Sequence, residues 1–441
     1  MRILRSIAVV VVVCSIAAGA EKQLKPGESE IYNDVAKDLA SADFAKALTD
    51  LDAWRQKFPN SDFRDERSAL YLQTWAGLGQ PAKVLDAAGE LMAKGLETAF
   101  PAPGGQATVI RVLYNAVSAI AQMPNPSPAE IATGGEAAHQ LLNYDQPVPG
   151  VAADKWAEVR ADMRQKAESA LLYLAMVPGI RAMAKQPPDC PAAESAYTKA
   201  LAGYPDKTVL SYELGRALNC EAKALPEKLA PAVYEFERAA VIDPSLGNPK
   251  NDKKKIQTFG DTAYVRLHGS EEGLDQLKQQ VKQSALPPPG FQIATATEIA
   301  EAARQKFENN NPQVALWMKI KGALSDTDGE EYFETQLKGA AVPQLKGMLI
   351  SAKPACRPKE LLVAVPVPDA QSAPQPEITL QLDKPLAGKP EPQIEVYWQG
   401  VPAAFTRDPF MLTFATETDK VQGLKTTPCS TGTPARKGGV K

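Results

Sequence analysis

The chain has 441 residues, 44% hydrophobic and 23% charged, with 49 Lys+Arg against 52 Asp+Glu and a net charge of -3. Such composition excludes a disordered or collagen-like chain, and the near-neutral balance leaves no basic footprint for general nucleic-acid binding. Two histidines and 7% aromatics leave no His-rich metal site, and 37 prolines predict many short elements divided by rigid breaks.

Residues 1–20 read as an address. Arg2 and Arg5 precede an apolar run from Ile7 to Ile16, and Ala17, Ala18, Gly19 and Ala20 follow. A charged start, a short apolar core and an A-x-A site predict a signal peptide cleaved after Ala20. The run is too short for a spanning helix. A lipid anchor at Cys14 is the alternative, disfavoured by Val13 before it. The mature protein is expected to be exported, periplasmic or secreted, with no stable membrane insertion.

One pattern then recurs: a small residue, an apolar residue four on, another seven on, and proline twelve on. It reads Ala47, Leu51, Trp54, Pro59, then Ala193, Tyr197, Ala200, Pro205, and Ala232, Phe236, Ala239, Pro244. Ala137, Leu141, Tyr144, Pro149 is weaker, and Val84, Ala88, Leu91 lacks the proline. Offsets of four and seven share one helical face, the small residue admits a close neighbour, and proline ends the helix. Helix pairs of this kind cannot bury a face alone and must stack. These residues resemble the second helix of the tetratricopeptide repeat. Leu214, Gly215 and Leu218 resemble its first helix, Gly79 its inter-helix turn, and Phe44 with Ala47 its turn-aromatic and small positions. The resemblance implies an irregular α-solenoid of antiparallel helix pairs over residues 21–260. The insertions FPAPGG, MPNPSP, YDQPVPG and CEAKALPEKLAP break its spacing. Further helices, expected at 252–267, 271–284, 295–308 and 313–324, extend or cap the solenoid through residues 261–340.

From Gln344 the pattern alternates. LKGMLISAKP, ELLVAVPV, EITLQLDKPL, QIEVYWQGV and FMLTFATE read as short strands rich in β-branched and aromatic residues. Residues 341–424 are expected to form a small all-β domain, a barrel or sandwich with an OB-like strand order, and 425–441 a disordered tail. After Ala20 four cysteines remain, Cys190, Cys220, Cys356 and Cys429. An even number in an oxidising compartment permits two bridges in three connectivities. The repeat register implied by the resemblance places Cys190 where one helix starts and Cys220 where the next ends, so these two are expected to pair. A Cys356–Cys429 bridge would pin the tail to the β-domain.

No Walker loop, G-x-S-x-G elbow or dinucleotide fingerprint occurs, and no catalytic constellation stands out. His139 and His268 lack ligand-spaced partners. Glu271–Glu272 and Glu330–Glu331 read as helix starts, and Lys253–Lys255 as a solvated face. No enzyme activity, metal or cofactor is expected. In tetratricopeptide proteins the first helices line a groove for peptides, and the matching inward positions here are Tyr32, Gln73, Tyr173, Tyr212, Arg216 and Asn219. The resemblance implies a scaffold binding a protein or peptide partner, with Arg216 and Asn219 placed to hold a carboxylate or backbone. Tyr173 and Tyr212 are equally placed for packing between helices. The alternative makes the helices a stalk for a β-barrel that binds an envelope glycan or peptide on Tyr397, Trp398, Phe405 and Phe410, positions that also suit a core.

Overall fold

A computed structural model describes residues 22–368 and 373–429; the expected signal peptide and residues 430–441 of the expected tail lie outside them. The chain divides into two compact units, with the break between Ala294 and Thr295.

The first unit is helical. In chain order it contains α1 (Glu28–Ala40), α2 (Phe44–Lys57), α3 (Arg64–Gly77), α4 (Pro81–Lys94), the short α5 (Leu96–Ala99), α6 (Gln106–Ile120) and α7 (Pro128–Asn143). There follow α8 (Ala153–Ala184), α9 (Cys190–Gly203), α10 (Thr208–Glu221), α11 (Leu229–Ile242), α12 (Lys253–His268) and α13 (Leu274–Gln280). From α1 to α12 each long helix packs on the next in chain order, and α3 also meets α6, α4 meets α7 and α6 meets α8. Packing of this kind, neighbour on neighbour, is what amphipathic helices with short connections produce.

The recurring small–apolar–apolar residues are the ones buried. Ala47, Leu51 and Trp54 on α2, Val84, Ala88 and Leu91 on α4, and Ala137 and Leu141 on α7 are fully inaccessible. Ala193 and Tyr197 on α9 and Ala232, Phe236 and Ala239 on α11 are buried too. Gly215 of α10 faces Phe236 so closely that an added Cβ would lie 2.7 Å from the ring. Termini carry their own signals. Asp43 accepts from the Lys46 amide at 3.1 Å. Ser127 and Glu130 form a capping box at α7. Helix α8 is longer than the repeat pattern predicts. It runs 32 residues straight through Pro178, which forfeits one backbone hydrogen bond there.

The second unit begins with α14 (Ala296–Asn310), α15 (Pro312–Ser325) and α16 (Gly329–Tyr332), the last running into a π-turn over Phe333–Leu337. Its strands are β1 (Leu345–Lys353), β2 (Glu360–Ala364), β3 (Ile378–Leu382), β4 (Lys389–Pro390), β5 (Glu395–Trp398), β6 (Val401–Arg407), β7 (Phe410–Thr416), β8 (Val421–Gln422) and β9 (Thr426–Thr427). Seven form one mixed sheet in the order β6-β7-β3-β2-β1-β5-β8, with β3 and β7 parallel; β4 and β9 pair separately. The pairings leave β6 and β8 at the sheet's two edges, yet only Gln399 and Gly400 separate β5 from β6, so the sheet must curl to bring these strands near each other.

Three differences from expectation have physical causes. The helices of residues 295–324 belong to the β-containing unit, because Val314, Trp317, Ile320 and Leu324 of α15 share a core with Leu349, Val363, Leu380 and Phe414. The strand β6 was hidden by Pro402, which removes a donor; it is accommodated at a register shift between Pro402 and Ala404. Residues 425–429, expected as disordered tail, include β9 and end on the bridged Cys429, which ties them down.

Candidate functional site

The groove candidates fall into two groups and one outlier. Tyr32 on α1 packs edge-on against Trp54 with centroids 5.8 Å apart. Gln73 on α3 accepts a hydrogen bond through Oε1 from Arg111 Nη1 at 2.9 Å. Arg111, on α6, was not among the expected residues, yet it joins the other two: the Tyr32 phenol lies near enough to act on its charge. Burial pushes the Arg111 guanidinium pKa down. Among the described residues no carboxylate forms an ion pair with it. An arginine so placed keeps unused donors in a fixed fork, suited to a planar oxyanion. One turn on, Lys166 of α8 lies 5.9 Å from the Tyr114 ring, and burial with nearby Asp162 pushes the Tyr114 hydroxyl up to about 12.

Tyr212, Arg216 and Asn219 lie together on α10. Tyr212 belongs to an aromatic cluster, its ring centroid 5.8 Å from Phe236 and 6.1 Å from Phe259 of α12. Phe259 itself is 44% exposed. Arg216 and Asn219 face solvent, but Arg216 is bound by Glu213 at 2.9 Å, so its charge is already answered. Tyr173 is the outlier. Its hydroxyl donates to the Met123 carbonyl, and Arg181 on the same helix reaches Asn125 Oδ1 at 2.9 Å and the Pro126 carbonyl. Both side chains strap the MPNPSP insertion to α8.

The β-domain aromatics do not make one exposed platform. Trp398 is buried and packs on Phe414, while Phe405 and Phe410 pack on Phe333 and Trp317. Tyr397 stands apart, its hydroxyl on Glu395, which also pairs with Lys346 at 3.1 Å. His139 is exposed; His268 Nδ1 sits 2.8 Å from the Ala294 carbonyl. Among the described residues no cluster of three metal-ligating side chains occurs, and no helix is long and apolar enough to cross a membrane.

The four cysteines form two pairs. Cys190, at the start of α9, meets Cys220, near the end of α10, with Cα atoms 5.9 Å apart; Cys356 meets Cys429 at 6.0 Å. Both separations suit disulfides, and two bridges point to an oxidising, exported setting. Arg111 escaped the sequence reading because α6 carries no proline-marked copy of the repeat. Its signal was present nonetheless, as the lone charge in QATVIRVLYNAVSAI. Compared with known proteins, the chain matches no protein family, no curated protein and no solved structure.

Proposed function

We propose that this chain is an exported, non-enzymatic interaction scaffold whose helical unit, built on tetratricopeptide-type hairpins, binds a protein or peptide partner. The binding face is the one carrying Tyr32, Gln73 and Arg111, with Tyr212, Arg216 and Asn219 as a second contact. Arg111 carries the reading. A half-buried guanidinium with no carboxylate partner among the described residues, oriented by Gln73, is costly unless something outside the fold answers it. A carboxylate from a partner chain would do so. The signal segment ending at Ala20 and the two bridges support placing the mature protein in the periplasm or outside the cell. The two-residue link between β5 and β6, strands far apart in the sheet order, supports a curled, barrel-like sheet of OB type for the second unit. With Trp398, Phe405 and Phe410 packed against other rings, that unit is the weaker candidate for ligand binding.

The test is affinity capture from cell-envelope extract with the mature protein, beside Arg111→Ala and an Arg216→Ala/Asn219→Ala double variant. A partner held by wild type and lost by folded Arg111→Ala upholds the reading. A partner retained equally by all three baits places binding elsewhere.

A further inference from the structure

Helix α11 holds the strongest unexplained feature of the molecule. Glu235 and Glu237 are both 0% exposed, and none of their four carboxylate oxygens has a hydrogen-bond partner. The surroundings offer little charge to offset them. From α10, Ser211 accepts from Arg238 Nη1 at 2.8 Å and keeps its own O–H as the one neutral donor beside Glu235, too little to outweigh burial. Arg238 turns Nη2 to the Pro205 carbonyl at 2.5 Å and Nε to the Ser284 carbonyl at 3.2 Å, and with Asp206 also drawing on its charge it offsets Glu235 only in part. From α12, Asp261 confronts Glu237 as a second acid, and Gly260 brings that helix so near that a Cβ there would lie 3.1 Å from Glu237 Oε1. From α13, Lys278 is taken by Asp261 at 2.5 Å. From the turn before α11, Lys228 is committed to Glu194 at 2.5 Å and Glu221 at 3.7 Å. The Tyr234 hydroxyl is turned to the Ser284 carbonyl.

Two ionised carboxylates with no formed hydrogen bond and at most one hydroxyl within reach are far costlier in such a place than two carboxylic acids. A proton on Glu237 also converts its encounter with Asp261 from repulsion into a donated hydrogen bond. We propose that Glu235 and Glu237 are carried as neutral acids in the folded helical unit. They act as a proton-operated latch that holds α10, α11 and α12 together and slackens when the protons leave. Burial is the main cause of the raised pKa values, about 8 for Glu235 and about 7 for Glu237, Asp261 adding to the second. Both lie above the ordinary value of 4.5. The folded state therefore keeps protons that the unfolded chain has lost. The stabilisation is complete below the unfolded value and drains away as pH rises through the two folded ones, so stability falls toward alkaline pH. Because α11 packs between the helices bearing Tyr212 and Phe259, loosening it acts first on that aromatic end. The latch stands whether or not the partner-binding reading holds.

The experiment is thermal unfolding of the mature, disulfide-intact protein across pH, for wild type and for Glu235→Gln, Glu237→Gln and their combination. The wild-type midpoint of the helical unit is expected to fall by about 5 °C or more between about pH 6 and about pH 8.5. Glutamine has the shape of the protonated acid and cannot release a proton, so the double variant should lose most of that slope. A wild-type midpoint that is flat or rises over this range overturns the proposal, as does an undiminished slope in the double variant. Should that variant fail to fold, infrared spectroscopy of wild type decides. A protonated-carboxyl band present near pH 6 and lost on alkalinisation supports the latch, and its absence near pH 6 defeats it.

Discussion

Single side chains in this molecule matter most where a buried polar group has few partners. Trp54 donates through Nε1 to Glu28 Oε1 at 2.7 Å, and Glu28 is wholly buried beneath it. Trp54→Phe keeps most of the ring volume but removes the indole donor from Glu28 Oε1, leaving the Lys25 amide at 2.9 Å on Oε2 and Ser61 to answer the carboxylate. The expected cost is about 1–3 kcal/mol, read as a lower urea midpoint for the helical unit. The sequence showed Trp54 as an apolar repeat position and was right about its burial, yet the bond to Glu28 lies 26 residues away and has no local signature. Arg111 presents the same problem in reverse. Its isolation in an apolar helix was legible, but its meeting with Gln73 and Tyr32 depends on three helices converging. Loss of one charge-assisted contact is worth about 1.5–3 kcal/mol, so Arg111→Ala should weaken partner binding about tenfold to a hundredfold. Arg111→Lys restores the charge without the fork and should recover only part, measurable by titration of the captured partner.

Elements were easier to foresee than their partners. The buried faces of α2, α9 and α11 follow from spacing in the sequence, because a helix imposes its period whatever it packs against. The Cys190–Cys220 pairing tests that register at the next level, since it requires the start of α9 to meet the end of α10, as antiparallel neighbours do. The bridge closes a loop with a sequence separation of 30, so replacing both cysteines by serine should cost about 3–4 kcal/mol on loop-entropy grounds. The loss should appear in chemical unfolding of the helical unit, while the strands of the second unit stay folded. Where periodicity alone decides nothing, the sequence misled. Helix α15 shows a clear apolar stripe at Val314, Trp317, Ile320 and Leu324, but a stripe does not say whether helices or a sheet will cover it. Strand β6 was lost for a different reason, because a proline within a run argues against a strand unless a bulge takes it up.

At the scale of the whole chain, mainly helical followed by β was legible, and the position of the seam was not. Alternation begins near Gln344, but the second unit begins at Thr295, since its sheet borrows the apolar face of α15 to complete a core. The two places for a cut predict different outcomes. Ending the mature chain after Ala294 removes the second unit entire, and no core is divided. This fragment should elute as a folded monomer on size exclusion and still hold the partner captured through Arg111. Ending it after Ala340 discards the strands and keeps α15, uncovering Trp317, which is 1% exposed in the intact protein, together with Val314, Ile320 and Leu324. An exposed stripe of that kind drives association. The longer fragment should therefore aggregate although it contains more helix, and adding residues 341–429 back to it should restore solubility. Equal behaviour of the two fragments would mean that α15 does not depend on the sheet for its cover.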